Sequence, residues 1–280
     1  DPVDGIGRGP ERQAERESGL VALLGGSEKR IPGPFLGQLG RLPSRGIHAQ
    51  DVDAGVREAA AEALGYLGSK PAHLRPLTLC LTDSSGTTTV RAWEAYRRIF
   101  ARLAWTERLQ AAATWSGSDK VVVSRRIDLL GDLESQAATL KSEASQLLTI
   151  REDLGDALVV NADYALAAGA YTRALEGLTA EQANRRVAIT GKLLEAYLRV
   201  PSYDKATALV AGAQSAQMVD ALADRLLRHV EALAKVDGKA AVECIGKFKR
   251  SAPDLFLSGW GAKLEAVRQT ASQPATVPAR

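Results

Sequence analysis

The segment Asp51-Val-Asp-Ala-Gly-Val-Arg-Glu-Ala-Ala-Ala-Glu-Ala-Leu-Gly-Tyr-Leu-Gly68 constrains the fold more than any other part of the chain. Val56, Ala60, Ala63, Leu64 and Leu67 fall at intervals of three and four, which places them on one apolar face of a helix. Asp51 or Asp53 is expected to cap its start, accepting hydrogen bonds from free backbone N–H groups. The alanines permit close approach of a neighbouring helix, and Gly68 is expected to end this one in the left-handed conformation. Pro71 then opens a short buried helix over Pro71–Leu81 with a bend at Pro76. Beyond residue 18 almost every apolar segment repeats at helical spacing with short breaks between, which directs the search to internal repeats.

Two downstream segments echo the first. Asp83 leads into Val90-Arg91-Ala92-Trp93-Glu94-Ala95-Tyr96, and Asp119 leads into Arg126-Ile-Asp-Leu-Leu-Gly-Asp-Leu133, where the Val-Arg pair slips by one. Phe35-Leu-Gly-Gln-Leu-Gly-Arg-Leu42 is a shorter upstream relative. The shared block, Asp-x-x-Val-Arg-x-x-Ala-x-x-Ala-Leu-Gly-x-Leu-Gly, resembles the HEAT repeat in its phycobilin-lyase variant. In that family the Asp and Arg of successive units pair in a ladder. The resemblance implies that Asp53, Arg57 and Arg91 take that structural role here. The competing reading has Arg91, Arg98 and Arg102 sharing a face toward nucleic acid or an acidic partner, diluted by Glu94 and Glu107.

After residue 133 the pattern changes. Leu133, Leu140, Leu147 and Leu154 recur every seven residues, but Gly131, Gly155 and the surrounding Ser, Gln and Thr argue for long helices within a stack over a coiled coil. Leu154, Gly155, Leu158, Ala167, Tyr171 and Ala174 then resemble a tetratricopeptide repeat. That family sets small residues where two helices touch and a large one in the hole beside them. Leu193, Leu194, Tyr197, Ala206, Val210 and Ala213 form a second unit, with added length at Thr179–Arg186. A third fits at Ala241, Ile245, Phe248 and Pro253, but Arg228 and His229 fall where its first helix should carry the Leu-Gly pair. Trp260 to Thr270 reads as a capping helix that shields the last apolar face.

The expected fold is therefore all-α, an α-solenoid of stacked antiparallel helix pairs, HEAT-like and then tetratricopeptide-like. The expected organisation is a frayed N-terminal segment over 1–18, HEAT-like repeats over 19–133, tetratricopeptide-like repeats with the capping helix over 134–271, and a disordered tail over 272–280. Hydrophobic residues at 45% exclude a disordered chain, and aromatics at 5% are too few for a typical sandwich or barrel. No run approaches the ~20 apolar residues of a membrane-spanning helix. The net charge of +3 is spread over both halves, so nucleic acid is disfavoured as a partner. The chain starts at Asp1 and its single methionine is Met218, as expected of a processed product or a fragment. Export after loss of a signal peptide and residence in the cytoplasm are both compatible with it.

The search for chemistry finds little. His48, His73 and His229 lack ligand spacing to one another or to Cys80 and Cys244, which read as buried unpaired thiols. No nucleophile elbow, phosphate loop or dinucleotide fingerprint is present, and no carboxylate pair stands out, so no cofactor or catalytic residue is assigned. The first helix of each pair lines the inner surface of such a stack. In the second half that surface should include Glu152, Asp156, Glu195 and Arg199, an acid-rich groove for a basic or neutral segment or a flat protein surface. The tetratricopeptide proteins that grip chaperone tails use Lys, Arg and Asn there, so that role is not expected. The expected function is a non-catalytic scaffold holding one or more proteins within a larger complex. The alternatives are a HEAT-like nucleic-acid binder and a lyase or other enzyme subunit.

Overall fold

The computed structural model of the protein describes residues 53–115, 117–139, 144–200, 203–213 and 215–272. The segment 1–18, the upstream unit at 35–42, His48, Asp51 and the tail beyond Ser272 lie outside the described residues. Those described contain thirteen α-helices and no strand, and all belong to one compact unit, His48–Arg280. In chain order the helices are α1 (Ala54–Leu67), α2 (Leu74–Cys80), α3 (Gly86–Arg102), α4 (Trp105–Ala113), α5 (Lys120–Thr139), α6 (Ala144–Val160), α7 (Tyr164–Glu176), α8 (Ala183–Arg199), α9 (Asp204–Ala211), α10 (Ala216–Val236), α11 (Gly238–Ser251), α12 (Pro253–Leu257) and α13 (Gly259–Ala271). Most pack on their neighbours along the chain or on the next helix but one, and α10 also packs on α13, giving an all-α stack of antiparallel pairs. The boundary drawn at 133/134 falls inside α5, so a continuous helix crosses it.

Asp53 Oδ1 accepts from Gly55 N at 2.7 Å and starts α1. The buried face of α1 is not the one the sequence spacing predicts. Arg57, Ala60, Ala61, Leu64 and Gly65 are buried, whereas Leu67 is exposed and Val56 and Ala63 are half-buried. The face is turned toward Gly65 because α3 crosses there: a Cβ on Gly65 would lie 2.8 Å from the Ala95 methyl. Gly68 ends the helix in an extended conformation (φ −69°), not the left-handed one expected. Its smallness serves close approach instead, since the Ile99 side chain fills the space a Cβ would need. Pro71 opens a 3₁₀ turn over Pro71–His73, and Pro76 sits in the first turn of α2, where its missing N–H costs nothing. The bend is thus at the 3₁₀-to-α junction, ahead of Pro76.

Two apolar centres hold the stack. In the first, Tyr96 of α3 contacts Trp93, Phe100 and Trp115 with ring centroids 4.6–6.0 Å apart. In the second, Leu222, Ala223, Leu226 and Val230 of α10 meet Cys244, Ile245 and Phe248 of α11 and Leu264 of α13. Cys80 and Cys244 are buried and unpaired. The seven-residue leucine pattern folds back on itself, because α5 ends at Thr139, α6 begins at Ala144 and the two pack together. Leu154, Leu158, Ala167, Tyr171 and Ala174 are all buried at the α6–α7 contact. A Cβ on Gly155 would overlap the Tyr171 ring. At the end of α6, Asp163 N bonds Leu158 O at 2.9 Å and Ala162 takes φ +65°, a left-handed turn usually given to glycine.

Gly155 and Gly131 are both helical, but only the first faces a neighbour; nothing lies within 4 Å of a Cβ on Gly131. Gly131→Ala is expected to stabilise the fold by about 0.5–1 kcal/mol through helix propensity alone. Gly155→Ala gains the same term but must displace the Tyr171 ring, a cost of about 1–3 kcal/mol, so it is expected to destabilise. Opposite signs in denaturant melts are the expected result. A stabilising Gly155→Ala would refute the close contact.

Candidate functional site

Several charged side chains meet opposite charges from elsewhere in the stack. Buried Arg57 donates to Asp83 at 2.6 and 2.8 Å, and the pair holds the Asp83 carboxyl below the usual carboxylate range. Asp53 is the cap of α1, and Arg91 pairs with the glutamates Glu58 (3.4 Å) and Glu94 (3.2 Å). Of the three residues expected to form an Asp–Arg ladder, Arg57 meets Asp83 ahead of α3, and Arg91 meets glutamates. Arg102 donates to the carbonyls of Gly65, Tyr66 and Gly68 at 3.0–3.1 Å and so satisfies the open end of α1. Arg98 lies over the Tyr66 ring at 4.8 Å. The arginines that might have formed a nucleic-acid face are engaged within the protein.

The same device continues through the second half. Glu134 of α5 accepts from Arg151 at 3.0 Å and from Arg173 at 2.8 and 2.9 Å. Glu152 of α6 accepts from Lys192 at 2.9 Å and Arg185 at 3.1 Å, and Asp156 from Lys192 at 2.7 Å and the Tyr171 hydroxyl at 2.6 Å. Burial alone would raise the Glu152 pKa, but the Lys192 and Arg185 cations outweigh it and hold the carboxyl below its ordinary value. Burial and the bond to Asp156 push the Tyr171 hydroxyl well up. Glu195 of α8 pairs with Arg225 of α10. The acid-rich groove expected from Glu152, Asp156 and Glu195 carries cations as well, because each carboxylate meets a Lys or Arg from the helix two further along the chain. Lys192, Arg185 and Arg225 are the residues missed. Their signal was an acid followed by a base 33 residues on at 152/185, 40 at 152/192 and 30 at 195/225.

Arg199, the fourth groove residue, stands apart and makes no ion pair among the described residues. It lines a cleft of 540 Å³ between the C-terminal halves of α8 and α10, with Val159 and Tyr164 forming the far wall. Arg225, Arg228 and His229 come from α10, and Leu233 and Val236 extend the wall toward its end. The sequence set Arg228 and His229 down as misfits to the third repeat. The structure seats that helix through Leu222, Ala223, Leu226 and Val230 instead, which turns Arg228 and His229 toward the cleft. Burial, and then the Arg199 charge, keep the His229 imidazole below its ordinary pKa. Its Nε2 is buried without a hydrogen-bond partner among the described residues. His73 Nδ1 accepts from Ser69 N and Lys70 N at 3.1 and 3.3 Å, a local turn contact.

Among the described residues no group of three or more His, Cys, Asp or Glu is placed to hold a metal ion, and no helix is long and apolar enough to cross a membrane. In comparisons with known proteins the chain matches no family model, no curated protein and no solved structure.

The inter-helix pairs make stability pH-dependent. Hydrogen bonds from Arg173, opposed by burial and aided by Arg151, hold the Glu134 carboxyl below its ordinary pKa. The contribution is complete above the unfolded value of about 4.3 and is lost as pH falls through the lower folded value. Glu134→Gln is expected to cost about 1–2 kcal/mol at neutral pH and to flatten the fall in stability below about pH 4. Melting temperature measured against pH for both proteins checks this, and parallel acid limbs would contradict it.

Proposed function

We propose that this chain is a non-catalytic helical-repeat scaffold, HEAT-like ahead of α5 and tetratricopeptide-like from α6 onward, that holds a partner protein within a larger assembly. The observation carrying this reading is the cleft between α8 and α10 with the apolar side chains around it. Val236, which lines it together with Leu198 and Leu233, is 88% exposed. Large aliphatic groups left in water near a concave surface are a recurrent mark of a docking site. The tetratricopeptide assignment draws support from Gly155 set against Tyr171 and from the six buried or close-packed positions of that unit. The HEAT assignment draws support from the Arg57–Asp83 pair between successive units.

The charge pairing suits such a role. A wall whose ionic groups are tied to adjacent helices keeps its shape when a partner arrives, so less is lost in ordering it. The nucleic-acid alternative loses support from the same contacts, because Arg102 is held by three carbonyls and Arg91 by two glutamates.

Affinity purification of the tagged chain from its native source, followed by native mass measurement, tests the proposal. A protein partner in fixed stoichiometry is expected, with Val236→Asp reducing its recovery about tenfold or more. Recovery of the chain as an inert monomer would overturn it.

A further inference from the structure

We infer that the cleft between α8 and α10 takes an acidic segment of a partner protein, one whose carboxylate lies a few residues from an aliphatic side chain. This rests on the docking role proposed above and gives the partner its chemistry.

The charges of the cleft are unequal. Arg199, Arg225 and Arg228 face it, against the single acid Glu195, and Glu195 is already matched to Arg225. Arg199 has no ion pair among the described residues. Arg228 pairs at 2.7 Å only with Asp224, one turn back on its own helix, and both side chains are more than half exposed. Such a pair contributes little and exchanges readily. An arriving carboxylate therefore finds two guanidinium groups without breaking a strong internal bond, and the guanidinium fork suits a carboxylate. A basic segment would meet the same groups as like charges.

The apolar half of the cleft fixes the second feature. Val236 lies eight residues beyond Arg228 on one continuous helix, which is roughly 12 Å along the axis. An extended peptide covers that distance in about four residues. A carboxylate on Arg228 and Arg199 thus places an aliphatic side chain four residues away against Leu233 and Val236. Tyr164 and Val159 also line the cleft and add apolar surface to it.

The test is selection of short random peptides displayed on phage against the immobilised full chain. Enriched peptides are then synthesised, and their Kd is measured by fluorescence anisotropy. Enrichment of net-acidic peptides with an aliphatic residue about four positions from a carboxylate is expected. Arg199→Glu and, independently, Val236→Asp should each weaken them about tenfold or more, and added salt should weaken binding to the parent chain. Both positions are exposed, and circular dichroism melts verify that the variants stay folded. Enrichment of basic or uncharged peptides, no enrichment, or acidic peptides indifferent to Arg199→Glu would overturn the inference. A stoichiometric protein partner whose capture survives Arg199→Glu would leave the scaffold role standing and remove this one alone.

Discussion

Helices pass closely only where one of them lacks a side chain, and that constraint governs this stack. At Gly65 the backbone of α1 meets Ala95 of α3, and at Gly155 α6 meets the flat ring of Tyr171. At Gly191 of α8 the missing side chain leaves room for the guanidinium of Arg225. The first two contacts bury apolar surface at close-packed density, where each atom gains dispersion contacts that a gap would forfeit. The third does something else. It lets a charged side chain from α10 lie along α8 and reach Glu195, so the spacing that builds the core also sets one wall of the cleft.

Long charged side chains supply further links, including some between helices two apart along the chain. Glu152 and Asp156, one turn apart on α6, are bridged by the single ammonium of Lys192, while Arg185 takes the remaining edge of Glu152. Such half-exposed pairs contribute modestly one by one. Their directional consequence is larger, because they fix rotation of each helix about its axis and hold register where apolar contacts alone would tolerate sliding.

The all-helical character was legible because the three-and-four spacing of apolar residues is a local property. The buried face of α1 was not, since choosing between Leu67 and Gly65 requires knowing that Ala95 lies opposite. The ending of α1 at Gly68 shows the same limit: a glycine after a helix suggests a left-handed cap, but here its smallness serves Ile99. Of the groove residues, Glu152, Asp156, Glu195 and Arg199 do lie on α6 and α8, as the repeat spacing required. Their joint charge was misread because the neutralising cations sit 30 to 40 residues further along. Net charge on a surface belongs to the assembled helices, and a single segment does not carry it.

Arg228 and His229 are not among the residues by which α10 packs into the core. Asp237 alone joins α10 to α11, its carboxylate capping the second helix through Ala240 N at 3.0 Å. Leu222, Ala223, Leu226 and Val230 fall against α11 and α13, and the polar positions between them turn outward. Leu194 and Leu198 of α8 belong to the same cluster, so α8 and α10 touch, and Arg228 and His229 line the cleft beside that contact.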